Sequence, residues 1–177
     1  MSRSHYSDDI DNWQLIKWRG AVNSALRGAR GQAFFKEMLA AMDAMPVKRL
    51  VAHELVEPEN IPCSHWGMFE TESVCAIGAV GKARGIDMSS IDPEDADTVA
   101  GKFNIAHALA CEIVYMNDEW GSYKETPEAR FIRMRKWVES NILANPQPRI
   151  ASVGDEHLRW ADDGGANIEP SQDPEIT

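Results

Sequence analysis

The sequence predicts a mainly α protein: a single compact, bundle-like helical domain with at most a small β hairpin, plus a polar C-terminal tail. Three observations predict it. Apolar residues recur at helical spacing over several windows. The run Val74-Cys75-Ala76-Ile77-Gly78-Ala79-Val80-Gly81 is uncharged on every side, so as a helix it can only be buried. Prolines stand where helices would begin or end. A chain of 177 residues has room for one core, and the expected division is a helical domain at 1–145 and an acidic, flexible tail at 146–177.

Taken in order, Ser7 can cap a first helix over about 8–27, with Leu15, Trp18, Val22, Ala25 and Leu26 as its stripe. Gly28 and Gly31 break it. A second helix over 32–45 carries Phe34, Phe35, Met38, Leu39 and Met42 on one side and stops at Pro46. The segment 48–56 is too short for a helix and is bounded by Pro46 and Pro58, so it is expected to be a strand, with 65–70 as its hairpin partner. The uncharged octet opens the central helix, whose end is marked by Lys82, Arg84 and Gly85. Asp92 and Pro93 suit the start of a short helix reaching about Phe103, and Asn104 can cap a further helix over 105–116. Thr126-Pro127-Glu128 is a cap followed by proline at the first helical position, opening a last helix to about Ala144. Beyond it the chain has too few apolar residues for a core.

Composition narrows the function. With 44% apolar and 26% charged residues and no run near the ~18 apolar residues of a membrane helix, the chain reads as a soluble protein. The N-terminal residues have no apolar segment after Arg3, and three scattered cysteines make no disulfide framework, so a cytoplasmic location is expected. Net charge is −10; the tail from Asn145 holds seven acids against two arginines. Direct nucleic-acid binding is therefore not expected, since it needs cations on phosphates.

Several constellations bear on chemistry. Cys63, His65, Cys75, His107 and Cys111 are residue types that bind zinc, with His107 and Cys111 four apart on one helix face. No Cys-x-x-Cys pair supports this, and a core role explains Cys75 and Cys111 better, so no cofactor is expected. Gly78-Ala79-Val80-Gly81-Lys82 resembles part of a phosphate loop, but Ala76 and Ala83 stand where a Walker sequence needs glycine and a hydroxyl residue. Close helix packing accounts for those glycines. His53, His107, Glu112 and Asp118 could serve a metal-dependent hydrolase, although no two form a recognised motif. Asp118 and Glu119 sit oddly at a helix C-terminus, which a helix ending at Met116 and a left-handed Asn117 would explain. Arg130, Arg133, Arg135 and Lys136 spread around their helix and form no nucleic-acid stripe. Acidic clusters containing Asp92, Glu94 and Asp95, and Asp118 and Glu119, could dock on a basic partner, and Leu158 and Trp160 are apolar anchors that could bind a groove on a partner or on the same domain.

Cys75-Ala76-Ile77-Gly78-Ala79, then Ile113-Val114-Tyr115-Met116-Asn117-Asp118, then Thr126-Pro127-Glu128 resembles an uncharacterised family of small bacterial, prophage and phage proteins. Some longer phage-type members are also similar at Trp18-Arg19-Gly20, Arg30-Gly31-Gln32-Ala33-Phe34, Gly85-Ile86-Asp87-Met88 and Asp92-Pro93-Glu94-Asp95. The resemblance spans roughly 7–144, departs over 53–70, and implies a mobile-element origin and a helical fold without any chemistry. The expected function is a non-enzymatic, phage-type acidic binding protein that engages a host macromolecule, as an inhibitor of a defence or regulatory complex. Partners are then host or phage proteins. The alternatives are a metal-dependent hydrolase and a structural component whose tail orders on assembly.

Overall fold

The computed structural model of the chain describes residues 11–63 and 67–144; the side chains of 59–63 and 67–71 lie outside that description. The fold is mainly helical with one two-stranded antiparallel sheet. Helices α1 (Asn12–Arg27) and α2 (Ala29–Ala44) form an αα-hairpin hinged at Gly28. A hairpin of β1 (Val56–Cys63) and β2 (Gly67–Val74) follows, then α3 (Ala76–Arg84), α4 (Ala96–Phe103), α5 (His107–Asp118) and α6 (Pro127–Asn141). α2 packs on α3 and α6, α1 on α5 and α2, and α4 on α5. The core joins Phe34, Phe35, Met38 and Met42 of α2 to Ile77 and Val80 of α3, Leu109 and Ile113 of α5, and Met134 and Val138 of α6.

The uncharged octet is the buried centre expected of it, with Ala76 to Gly81 all inside. Its helix opens two residues into the run, because Cys75 acts as the N-cap: its Sγ accepts from the Gly78 amide at 3.3 Å. The glycines admit close neighbours. A Cβ on Gly78 would stand 2.0 Å from the Leu55 carbonyl oxygen, and one on Gly81 would stand 2.2 Å from Met88 Sδ. Gly85 closes the helix at φ +66, the left-handed cap that glycine adopts without penalty.

Several boundaries differ from expectation for identifiable reasons. Asp11, through a capping box with Gln14, starts α1; Ser7 lies outside the described residues. Segment 48–55 is not a strand. Its buried residues Leu50, Val51 and Leu55 enter the core, and its backbone is satisfied by three separate elements: Leu50 N–H donates to Pro127 O, Val51 N–H to Val74 O, and Leu55 O accepts from Cys75 N–H. The first strand begins at Val56 instead, and Pro58 and Pro62 lie within it, tolerable because a two-stranded sheet consists only of edges. Its partner is longer than expected, with register running from Val56 opposite Val74 to Cys63 opposite Gly67.

Asp95, not Asp92, caps α4; Asp92 holds the preceding turn by accepting from Glu94 N–H at 2.9 Å. Asn104 does not cap the following helix. It ends α4 in the left-handed conformation at φ 55, which its side chain tolerates better than most, and α5 starts at His107 behind Ala106 with no side-chain cap. α5 then runs past Met116 to Asp118, so the expected left-handed Asn117 is helical and buried. Thr126 and Pro127 open α6 as expected, Thr126 Oγ1 accepting from Ala129 N–H at 3.2 Å, but the helix closes at Asn141.

Candidate functional site

The corner where α5 meets α6 concentrates the polar chemistry of the chain. Asn117 faces inward at 2% exposure; its Oδ1 accepts from Ala76 N–H at 3.3 Å, and its Nδ2 donates to Val51 O at 2.8 Å and to Asp118 Oδ1 at 2.6 Å. One amide thus ties α5 to the start of α3 and to the 48–55 segment. Arg133 donates to the Met116 carbonyl and, at 3.4 Å, to Asn117 O, placing a cation at the negative end of α5. Its other bonds form a bidentate pair with Glu125, 2.7 Å at each contact. Arg130 Nη1 adds a bond to Leu50 O at 3.0 Å. Of the acids at this helix end, unfavourable by their position alone, Asp118 accepts from the Asn117 amide.

Glu125 anchors the 119–125 loop from below. The Arg133 hydrogen bonds, opposed by partial burial and aided by the charges of Arg133 and Arg130, hold its carboxyl below the ordinary glutamate range. A carboxylate depressed in the folded state stabilises above its unfolded value of about 4.5 and loses that contribution as pH falls through the folded value. Glu125→Gln is expected to show a smaller drop in melting temperature between pH 6 and pH 3 than the parent chain. Equal drops in the two would remove this pair from the acid response. Above the anchor, the loop presents Trp120 at 61% and Tyr123 at 92% exposure, with the Trp120 ring edge-on to Tyr115 at 6.0 Å. The sequence reading passed over both aromatics, which fit no period and only the loop geometry exposes.

The acidic residues singled out from sequence divide. Asp92, Glu94 and Asp95 are exposed; Asp92 holds a turn and Asp95 caps α4, where Thr98 Oγ1–H and N–H hold its carboxyl below its usual range. Asp118 turns its side chain inward, 1% exposed, with His53 Nδ1 3.9 Å from Oδ2, while Glu119 is half-buried. His53 itself is exposed and sits at φ 68.

The four residues of the hydrolase alternative do not converge. His53 and Asp118 meet at one end of α5, whereas His107 lies at the other, roughly 16 Å along the axis. His107 Nδ1 is 2.7 Å from Asp97 Oδ1, and its Nε2 is 3.4 Å from Cys111 Sγ. That order of acid, imidazole and thiol resembles a nucleophile relay, but the thiol is buried, and desolvation, with Asp97 nearby, pushes it up to about 12. It stays protonated and inert near neutral pH. Among the described residues, no three His, Cys, Asp or Glu side chains are grouped to hold a metal ion. Of the other candidates, the Cys63 side chain, His65, Leu158 and Trp160 lie outside the described residues.

A groove of about 310 Å³ opens elsewhere, between the C-terminal end of α2, the 45–49 linker, β2 and α3. Alanines from α2 and α3 line it, with Arg49 and Lys82 at its polar side. No helix among the described residues is long and apolar enough to cross a membrane. Compared with protein-family models, curated proteins and solved structures, the chain matches none.

Proposed function

We propose that this chain is a non-enzymatic, acidic binding protein of phage or prophage type that engages a host protein through the loop between α5 and α6. The observation that supports this reading is exposure combined with fixation. Trp120 and Tyr123 stand out from a loop whose base is clamped by the Glu125–Arg133 pair and whose tryptophan rests on Tyr115. Large aromatic side chains supply much of the energy at protein interfaces and lose little conformational freedom there. Glu119 beside them, on a chain of net charge −10, favours a partner with a basic rim. Occupying such a surface would inhibit a host defence or regulatory complex by occlusion, with no reaction required.

The hydrolase reading has less support, because His53 and His107 stand near opposite ends of α5. The docking reading is tested by affinity capture from host lysate with the parent chain and with the Trp120→Ala/Tyr123→Ala double variant. Both side chains are exposed, so the fold should survive, as circular dichroism will check. The expected result is at least about tenfold weaker binding of whatever the parent retains. Undiminished binding by the double variant would move the contact to another face.

A further inference from the structure

The groove between α2 and α3 is open among the described residues. Its walls are contributed by Ala41, Ala44, Ala79 and Ala83, whose small side chains leave the space open, and Val47 stands half exposed beside it. At about 310 Å³ it lies at the lower limit of ligand sites, enough for one or two large side chains rather than a folded element. Arg49 and Lys82 line it against the single acid Glu72, which lies 3.2 Å from Lys82 Nζ. The groove is thus locally cationic on a molecule whose net charge is −10.

The chain beyond Ala144 has the complementary character. It carries seven acids and two arginines, and its large apolar residues include Leu158 and Trp160, shortly after Asp155 and Glu156. It also starts in reach. Leu143 N–H donates to Gln32 Oε1 at 2.7 Å, in the first turn of α2, and the groove lies at the opposite end of that helix. Gln32 and Ala44 are roughly 18 Å apart along the axis. Residues 145–152 can span about 26 Å when extended, a length sufficient for 153–160 to reach the groove.

We propose that the C-terminal segment 153–160 binds in the α2–α3 groove of its own chain, Leu158 and Trp160 against the alanine walls and Asp155 and Glu156 towards Arg49 and Lys82. Tethering supplies a millimolar effective concentration, so a contact too weak to hold a free peptide is still populated. The segment then covers an apolar surface and is held ready for exchange with a partner's peptide. This surface is separate from the Trp120–Tyr123 loop, so the two readings stand or fall independently.

The test uses the full chain labelled with 15N and compares amide spectra of the parent, Leu158→Ala/Trp160→Ala, and Lys82→Glu. The tail substitutions leave the helical core untouched. Expected are shifts on the double variant concentrated at Ala44, Met45, Ala79 and Ala83, and shifts at Asp155 and Glu156 on Lys82→Glu, all unchanged by tenfold dilution. Groove amides that stay in place in the double variant, or shifts centred on another face, would overturn the proposal. So would shifts that vanish on dilution, which would put the segment on a second molecule.

Discussion

Gly78→Ala is expected to destabilise the fold by about 4 kcal/mol, the largest single effect we anticipate. The new methyl carbon would lie 2.0 Å from the Leu55 carbonyl oxygen and 3.1 Å from its carbon. Both are backbone atoms, so relief requires α3 to move away from the 48–55 segment. Overpacking of a rigid site typically costs ~1–3 kcal/mol. The displacement also breaks the bond from Cys75 N–H to Leu55 O, worth about another 1 kcal/mol. Gly101→Ala in α4 is the control, because nothing stands within 4 Å of its added carbon. It should stabilise by roughly 0.5–1 kcal/mol through helix propensity. Urea unfolding of the two variants decides the matter, and losses of similar size would mean that close approach is not what demands Gly78.

Asn117→Ala is expected to cost about 3 kcal/mol. The truncation removes the partner of two buried backbone groups, Ala76 N–H and Val51 O, each left unsatisfied at ~1–3 kcal/mol. Asn117→Asp should not rescue it, since a carboxylate oxygen would face the Val51 carbonyl in place of a donor. A loss below about 1 kcal/mol in chemical denaturation would show that water reaches the vacated site. Because the same amide also donates to Asp118 Oδ1, the substitution should loosen the end of α5 and with it the loop bearing Trp120.

Where local chemistry decides, the sequence was a good guide. Thr126-Pro127, Gly85 and the apolar stripes of α1 and α2 each act within one or two turns, and each lies close to where expected. The uncharged octet was legible as interior because no face of it could meet water. Elements decided at long range were not. The length of segment 48–56 and its flanking prolines suit a strand, but the backbone partners of Leu50 and Val51 come from Pro127 and Val74, which no window around residue 50 contains. Asn104 suits either side of a helix boundary, and only the left-handed backbone reveals that it closes α4. Likewise, nothing local to Asp118 shows that its side chain is buried and accepts from Asn117. The groove arises where α2 and α3 meet in space, so only the pair of facing alanine-rich helices could have hinted at it.

Gln32 gives the molecule a temporal property. Buried at the base of the first helical hairpin, its Nε2 donates to Leu26 O and Asn141 O, and its Oε1 accepts from Leu143 N–H. Two of those partners are encoded more than a hundred residues later. During synthesis on a ribosome, water must serve this amide until residues 141–143 emerge, and only then can it take its final partners.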